Sequence, residues 1–281
     1  MAVLTCEIPD ALSKTLEARL CATRESVSRY VSRMLQRFLD KPVHTLFQIS
    51  TSRALVEGVY AEAVSSAHLL QHGDFGLGTF DALDGEMVVL DGEMYQVRSD
   101  GIVRHVEENI GTPFATVLTF SADEDVSLRG LKSLAELCEI CDTYRQSENL
   151  FYAFRVDGTF AHVKTRAMRR TNSGVSLKAA ATVQPEFEFE DVRGTLVGFW
   201  SPAFAGAIDI PGYHFHFLSE DRTKGGHLLE CAADSLQLRV QRVTDFHLSL
   251  PESEEFLRAD LTLDLSKDLK AAEGNQVQVK R

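Results

Sequence analysis

The chain has 281 residues, of which 44% are hydrophobic and 25% are charged, and its formal net charge is −12. These proportions are typical of globular proteins, and no apolar run is long enough to span a bilayer. Because general binding to nucleic acids depends on a cationic surface, the acidic balance argues against that class of function.

The start of the chain and its cysteines predict a cytoplasmic protein. The sequence begins Met-Ala-Val-Leu-Thr-Cys-Glu, without the basic start and apolar core of a signal peptide. Its five cysteines are odd in number and scattered along the chain. That usage indicates reduced thiols, not a disulfide framework.

The first 42 residues predict a separate unit of one strand and two helices. Residues 2–8 alternate like a short strand, and Pro9-Asp10 begins the first helix. Ser26 is the expected N-cap of the second helix, whose apolar stripe comprises Val27, Tyr30, Val31, Met34, Leu35, Phe38 and Leu39. This order resembles the ribbon-helix-helix domains, which are obligate dimers because one copy cannot bury its own apolar faces.

Many ribbon-helix-helix domains place their paired strands in the DNA major groove. In this chain the outward strand positions would be Val3, Thr5 and Glu7, and an acidic side chain there repels phosphate. The pattern therefore favours a dimerising arm over a DNA-binding one.

Residues 43–281 predict an α+β architecture in which antiparallel hairpins dominate the second half. Asp91-Gly92 predicts one hairpin turn, and Asp157-Gly158 predicts another. The polar, weakly patterned residues 168–185 indicate a loop. Cys138 and Cys141 share the apolar face of a predicted helix, which favours core packing over a redox or zinc pair.

Three histidines lie close together in the segment from Pro211 to Glu230. His214 and His216 are two apart on a predicted strand, so they share a face. Polar residues and Gly225-Gly226 then turn the chain, and His227 begins the returning strand. Three imidazoles on one face suit a divalent transition metal such as zinc, whereas the simpler interpretation is a polar strand face that reaches solvent.

Several stretches resemble the α-acetolactate decarboxylase family, and they run in family order from about Thr45 to the C-terminus. They are Leu46-Phe-Gln-Ile-Ser-Thr, His72-Gly-Asp-Phe-Gly-Leu-Gly-Thr-Phe, Leu83-Asp-Gly-Glu-Met, Thr112-Pro-Phe-Ala, Phe151-Tyr-Ala, Gly158-Thr-Phe, Gly194-Thr-Leu-Val-Gly-Phe and Pro211-Gly-Tyr-His-Phe-His-Phe. The resemblance implies a decarboxylase domain over residues 43–281, with a two-lobed fold: an N-terminal lobe over 43–149 and a metal-binding lobe with a tail over 150–281. Residues 1–42 are not part of the family pattern.

The resemblance further implies a metal-dependent lyase, usually with zinc, that converts 2-acetolactate to acetoin and carbon dioxide through a metal-stabilised enediolate. Position by position, the family's metal ligands fall on His214, His216 and His227. Its other active-site residues fall on Glu86, Thr79, Arg166 and, by counting along the tail, Glu273. Arg166 would orient the substrate carboxylate, and a glutamate would supply the proton.

Each of these residues also has an ordinary structural interpretation. Glu86 follows Asp-Gly and would be a solvated acid beside a turn, Arg166 would belong to a solvated basic strip, and Thr79 would be a plain strand residue. The expected assembly is a homodimer or a larger homo-oligomer.

Two other functions stay open at this point. His214-x-His216 followed by Glu220 resembles the first motif of the cupins, but a cupin needs a second histidine motif, and His247 lacks the neighbours for one. The other is a DNA-binding regulator whose C-terminal domain senses a small molecule.

Overall fold

The structure is a computed structural model that describes residues 8–23, 25–38, 44–107, 109–263 and 266–273. Contacts between Cα atoms divide the chain into two compact units, Met1–Val43 and His44–Arg281. The strand predicted over residues 2–8, with its outward positions 3, 5 and 7, lies outside the described residues except for Ile8. The strand and the ribbon-helix-helix assignment therefore stay predictions.

Two helices, α1 (Asp10–Thr23) and α2 (Val27–Phe38), form the described part of the first unit. Ser26 caps α2 as predicted, since its hydroxyl accepts a hydrogen bond of 3.2 Å from the amide of Arg29. This bond satisfies one of the amides that a helix leaves unpaired in its first turn.

The second unit is built mainly of strands. In chain order its described strands are β1 (Thr45–Ile49), β2 (Val64–Ser65), β3 (Phe75–Thr79), β4 (Glu86–Leu90), β5 (Glu93–Val97), β6 (Val103–His105), β7 (Gly111–Thr112), β8 (Ala115–Leu118), β9 (Glu124–Leu131), β10 (Phe151–Arg166), β11 (Glu186–Ser201), β12 (Gly212–Ser219), β13 (Gly225–Val243) and β14 (Asp245–Ser249). Its described helices are α3 (Ser52–Val56), α4 (Ser66–Leu70), α5 (Leu134–Tyr144), α6 (Leu177–Ala181), α7 (Glu254–Arg258) and α8 (Ser266–Glu273).

The strands form two large sheets. The first has the order β14-β1-β8-β3-β4-β5-β6, and only its β1–β14 pair is parallel. The second is antiparallel, with the order β10-β11-β12-β13-β9. Because β10 also pairs with β13, the strands β10 to β13 close on themselves. The division between the two sheets does not coincide with residue 150. Strand β9 precedes that residue but belongs to the second sheet, and β14 follows it but belongs to the first.

One hydrophobic cluster joins the two sheets, because it contains Leu46, Phe75 and Val88 from the first sheet together with Val197 and Phe199 from the second. Burial of such apolar surface holds the sheets against each other. A separate cluster packs α3, α6 and α8 together. The predicted α+β fold with two lobes rich in antiparallel strands is confirmed, and among the described residues none of the helices is long and apolar enough to cross a membrane.

The turn predicted at Asp91-Gly92 is confirmed, with φ angles of 55° and 82° between β4 and β5. The turn predicted at Asp157-Gly158 is wrong, because both residues lie inside the continuous strand β10. Asp157 accepts hydrogen bonds there from Arg155, Thr195 and Arg239 of the sheet. Gly158 is needed for packing, since a Cβ at this position would lie 2.6 Å from the carbonyl oxygen of Ser235.

The loop predicted over residues 168–185 is wrong in part. It contains α6, which Ser176 caps through a hydrogen bond of 3.4 Å from the amide of Ala179. Leu177 and Ala180 are buried against α3 and α8. This helix is not predictable from the sequence, because its five residues are too few to display a helical period. Cys138 and Cys141 lie on the face of α5 that is buried in the core, as predicted.

Candidate metal centre

The three predicted histidines come together at one end of the β12–β13 pair. His214 and His216 lie on one face of β12, and His216 stands opposite His227 in the register of the two strands. The turn itself spans residues 220–224, so Gly225-Gly226 begins β13 and does not form the turn as predicted. Gly226 has φ +131°, and a Cβ there would lie 2.6 Å from the carbonyl oxygen of Arg166, so β10 can pass close to the histidines.

The ring nitrogens of the three histidines converge. His214 Nε2 lies 3.1 Å from His216 Nε2 and 3.1 Å from His227 Nδ1. A tetrahedral ion with metal–nitrogen bonds of about 2.0–2.1 Å separates its ligand nitrogens by roughly 3.3 Å. The spacing therefore fits such an ion, and among the described residues this is the one group of three or more metal-binding side chains close enough to share one.

His216 is held in the form that a metal ligand needs. Its Nδ1 lies 2.8 Å from the carbonyl oxygen of Met87. A carbonyl can only accept, so Nδ1 carries the proton and donates it, while Nε2 presents its lone pair to the cluster. This hydrogen bond crosses from the second sheet to the first and fixes the ring orientation.

Burial favours the neutral form of the imidazoles of His214 and His216. It lowers the pKa of His216 to about 4, and the positive charge of Arg166 acts in the same direction. The pKa of His214 is lowered well below its usual value, first by desolvation and then by the charges of His216 and Arg166. Because a protonated imidazole cannot bind a cation, both shifts favour a metal site at neutral pH.

Glu86 is buried beside the histidines, contrary to the solvated acid of its structural interpretation. It begins β4, opposite Thr79 of β3. One carboxylate oxygen accepts a hydrogen bond of 2.9 Å from the amide of Met168, and the other lies 3.5 Å from His216 Nε2. Its side chain is 8% exposed. A buried acid this close to an imidazole can bind a metal ion or transfer a proton.

Arg166 ends β10 directly opposite His227 of β13. It lines the same cavity as the three histidines and is half-buried. A guanidinium at this place brings a permanent positive charge and several donors into a site with little water.

Thr79 lies at the end of β3 and is buried in the cavity wall. Its hydroxyl donates a hydrogen bond of 2.8 Å to the carbonyl oxygen of Gly85, the residue before Glu86. The amide of Thr79 donates to the carbonyl oxygen of Phe114 at 3.0 Å. Thr79 thereby anchors the segment that carries Glu86.

Glu273 is the last residue of α8, and its side chain lies outside the described part of the structure. The preceding residue, Ala272, is buried and lines the cavity, and Leu269 of the same helix is packed against α3 and α6. The helix therefore reaches the cavity, while the position of the Glu273 carboxylate stays a prediction.

The cavity has a volume of about 40 Å³, which is room for only a few water molecules and suits a small ligand. Besides the predicted residues, its wall includes Met168, Gln184, Phe114, Leu83 and Ile210. These five residues give no signal in the sequence, because none carries a charge or an imidazole, thiol or carboxylate group. Met168 and Gln184 also lie in the segment interpreted as a loop.

The chain is similar to known proteins of one family over most of its length. Residues 46–263 match the family model described as Alpha-acetolactate decarboxylase. The chain is 44% identical over 229 residues to an alpha-acetolactate decarboxylase of Methanosarcina mazei, covering 81% of this chain and 80% of that protein. It is 38% identical over 239 residues to one of Bacillus licheniformis, covering 84% and 94%. The fold is similar to the crystal structure of alpha-acetolactate decarboxylase from Bacillus subtilis strain 168, with a TM-score of 0.80, 35% identity and coverage of 82% of this chain and 100% of that one.

Proposed function

The chain belongs to the alpha-acetolactate decarboxylase family and is an acetolactate decarboxylase, and on this premise we propose that it converts 2-acetolactate to acetoin and carbon dioxide at a metal centre held by His214, His216 and His227. The observation that carries the metal proposal is the convergence of three imidazole nitrogens in one buried cavity. Zinc is the proposed ion, because three neutral imidazoles with an open position are typical of catalytic zinc sites.

When bound, the ion supplies positive charge beside the substrate, which lowers the free energy of the enediolate anion left by loss of carbon dioxide. The remaining steps belong to the side chains of the cavity. A volume of about 40 Å³ leaves little space for water, so charge interactions inside are stronger than in bulk solvent.

Arg166 is proposed to bind the carboxylate of 2-acetolactate. It stands opposite His227 in the β10–β13 register and lines the same cavity as all three histidines. A guanidinium can hold a carboxylate with two parallel hydrogen bonds. That contact would align the bond to be broken and keep the substrate anion beside the histidines.

A glutamate is proposed to supply the proton that completes acetoin. Glu86 is one donor, since one of its oxygens faces His216 at 3.5 Å while the Met168 amide orients the other. Glu273 is the second proposed donor, because α8 brings the residue before it to the cavity wall. Delivery from one fixed side chain would protonate a single face of the substrate-derived anion. Thr79 is proposed to act by holding the segment before Glu86.

The histidine set argues against the cupin-like alternative. All three side chains come from the single pair β12–β13, and His247 belongs to β14 of the other sheet. A second histidine motif is therefore not part of the described cluster.

For residues 1–42 we propose a dimerising arm that belongs to a homodimer or larger homo-oligomer. On α2, Val27 and Leu35 of the predicted apolar stripe are 56% and 42% exposed, which supports burial against another surface. The DNA-binding alternative would be detected as a specific shift in a gel assay at modest salt. A cytoplasmic location stays a proposal that rests on cysteine usage, since the buried Cys138, Cys141 and Cys231 are free thiols.

The deciding experiment is acetoin formation from racemic 2-acetolactate before chelation, after chelation and after zinc is returned. We expect activity to disappear with the chelator and to recover with the metal. The double variant His214→Ala/His216→Ala should lose both the ion and the activity. Acetoin formation that survives complete removal of metal would contradict the proposal.

A further inference from the structure

A second group of histidines lies at the edge of the first sheet and includes none of the residues that line the cavity. His68 belongs to α4, His72 follows that helix, and His247 lies on the edge strand β14. All three rings surround the buried Phe47 of β1. The proposed decarboxylation uses none of these side chains.

The first two of these histidines face each other. His68 Nε2 and His72 Nε2 are 3.4 Å apart, close to the spacing of roughly 3.3 Å that a tetrahedral ion requires of two ring nitrogens. Residues four apart stand on the same side of a helical turn, and this turn continues to His72, whose amide donates to the carbonyl oxygen of Leu69 at 3.0 Å.

The ring of His72 is also held in place. The His72 ring stacks on the Phe47 ring with a centroid distance of 3.8 Å and an angle of 4° between the planes. The Ser65 hydroxyl caps α4 by accepting from the amide of His68 at 3.3 Å. A ligand ring that is positioned by packing loses little conformational entropy when an ion binds.

His247 brings a third imidazole. It stands beside Phe47 in the parallel register of β1 and β14, and its ring centroid is 6.1 Å from that of His72. In this structure the ring nitrogens of His247 lie too far from those of His68 and His72 to share an ion with them. Rotation of the His247 side chain would bring its ring closer to the other two.

A hydrogen bond between two neutral imidazoles would use one nitrogen as donor and one as acceptor, and it would leave His247 without a role. A shared cation accounts for the facing nitrogens and for the third ring together. Imidazole nitrogen prefers late divalent transition ions over calcium or magnesium.

We infer that His68 and His72 form a second site for a late divalent transition-metal ion, with His247 as its third ligand. The ion would connect α4 to β14, which pairs only with β1 among the described strands. Edge strands have one unpaired side, so an ion at this position would hold β14 in the sheet and raise the stability of the folded chain.

The test measures how much further zinc binds to enzyme whose catalytic site already holds zinc. The protein is dialysed to equilibrium against micromolar zinc, and its metal content is then measured. We expect the wild type to hold about one ion per chain more than His68→Ala/His72→Ala, with acetoin formation unchanged. The matched control is His105→Ala/His162→Ala, which removes two partly exposed histidines that each contact a glutamate. It should bind zinc like the wild type. Equal zinc content in the wild type and in His68→Ala/His72→Ala would overturn the inference.

The connection to β14 has its own readout in the melting temperature. With the catalytic zinc already bound, the wild type should melt about 2–4 °C higher in excess zinc than without added zinc, and His68→Ala/His72→Ala should show no such rise. His247→Ala should show a smaller rise, and a rise equal to that of the wild type would exclude His247 as a ligand. The inference stands apart from the catalytic site, because His214→Ala/His216→Ala should lose activity and keep this second ion.

Discussion

Arg166 lies in the cavity because the register of β10 and β13 places it opposite His227. Glu86 is placed in the same way at the start of β4, where the Met168 amide and His216 surround its carboxylate. Neither residue adjoins the histidines in the chain. The place of Arg166 therefore depends on strand pairing within the second sheet, and that of Glu86 depends on contacts between the two sheets. Each role can be tested one side chain at a time.

Arg166→Ala is expected to lower kcat/KM about a hundredfold, because the substrate carboxylate loses its partner in a cavity with little water. Zinc content should stay at the wild-type value, since Arg166 is not among the proposed ligands. Arg169→Ala is the matched control, as Arg169 is exposed and only three residues away. Steady-state kinetics and metal analysis of both variants provide the measurement. Wild-type activity in Arg166→Ala with zinc retained would refute the role of Arg166.

Asp209 gives a prediction for pH dependence. Burial raises the pKa of its carboxyl group to about 6, although the Ser201 hydroxyl and the Ile210 amide both donate to it. The folded state thus holds this proton more tightly than the unfolded chain, whose pKa is about 3.9. The contribution of Asp209 to the free energy of unfolding is therefore complete below about pH 4. As the pH rises to about 6, this contribution falls by about 3 kcal/mol.

Asp209→Asn should abolish that dependence, because an amide does not titrate. Urea unfolding at several pH values should show that the free energy of unfolding of the variant is flat, relative to the wild type, between about pH 4 and pH 6. Asp221→Asn is the control, because Asp221 is an acid in the turn before β13 whose pKa is lowered instead to about 2. A wild type and Asp209→Asn with parallel pH profiles would contradict the assignment.

At the level of strands and helices, the site depends on how closely β10 passes β13. Gly226 permits this approach, since a side chain there would meet the carbonyl oxygen of Arg166. The same contact lies between Arg166 and His227, two residues of the proposed mechanism. Packing of the strands and geometry of the metal centre are therefore coupled.

Gly226→Ala is expected to lower the free energy of unfolding by about 2–4 kcal/mol, through positive φ and a backbone collision together. It should also weaken zinc binding, because relief of the collision displaces the strand that carries His227. Gly92→Ala separates the two effects, since Gly92 has φ +82° with no atom within 4 Å of an added Cβ. Gly92→Ala should lower the free energy of unfolding by only about 1 kcal/mol and leave zinc binding unchanged. Equal costs for the two variants, measured by urea unfolding, would contradict the packing argument.

For the chain as a whole, the decarboxylase unit and the first 42 residues are expected to have separable roles. The family match covers residues 46–263 and so excludes the arm. Deletion of residues 1–42 should reduce the mass in solution, measured by light scattering, while acetoin formation per chain stays the same. The paired substitution Val27→Glu/Leu35→Glu should reproduce the smaller mass by charging the exposed part of the stripe. An unchanged oligomer in both variants would exclude the arm as the element of assembly.

Much of this organisation follows from local pattern. Two histidines that are two residues apart on a strand share a face, whatever surrounds them. The polar residues that follow them predict a turn and a returning strand, which places His227 beside the first two histidines. The Asp91-Gly92 turn is predictable because positive φ angles favour these residue types at that place. The buried face of α5 with its two cysteines is predictable from helical periodicity.

Other features depend on residues that are distant in the chain. Asp157-Gly158 carries the local signal of a turn, but side chains from two neighbouring strands bind Asp157 and the backbone near Ser235 excludes a larger residue at 158. The five-residue helix α6 has too few positions to show a period, and its burial against α3 and α8 stabilises it. Local propensity alone therefore predicts the wrong element at both places.

The amino-acid sequence alone was thus sufficient to predict the histidine hairpin, the α+β class and the resemblance to a decarboxylase. Each of these predictions depends on residues that are only a few positions apart. Strand pairing within the second sheet decided that Arg166 faces His227, and packing of the two sheets decided that Glu86 is buried and that the carbonyl of Met87 selects the tautomer of His216. These contacts join segments separated by tens of residues. No short pattern encodes them, because they exist only once apolar burial has brought the sheets together.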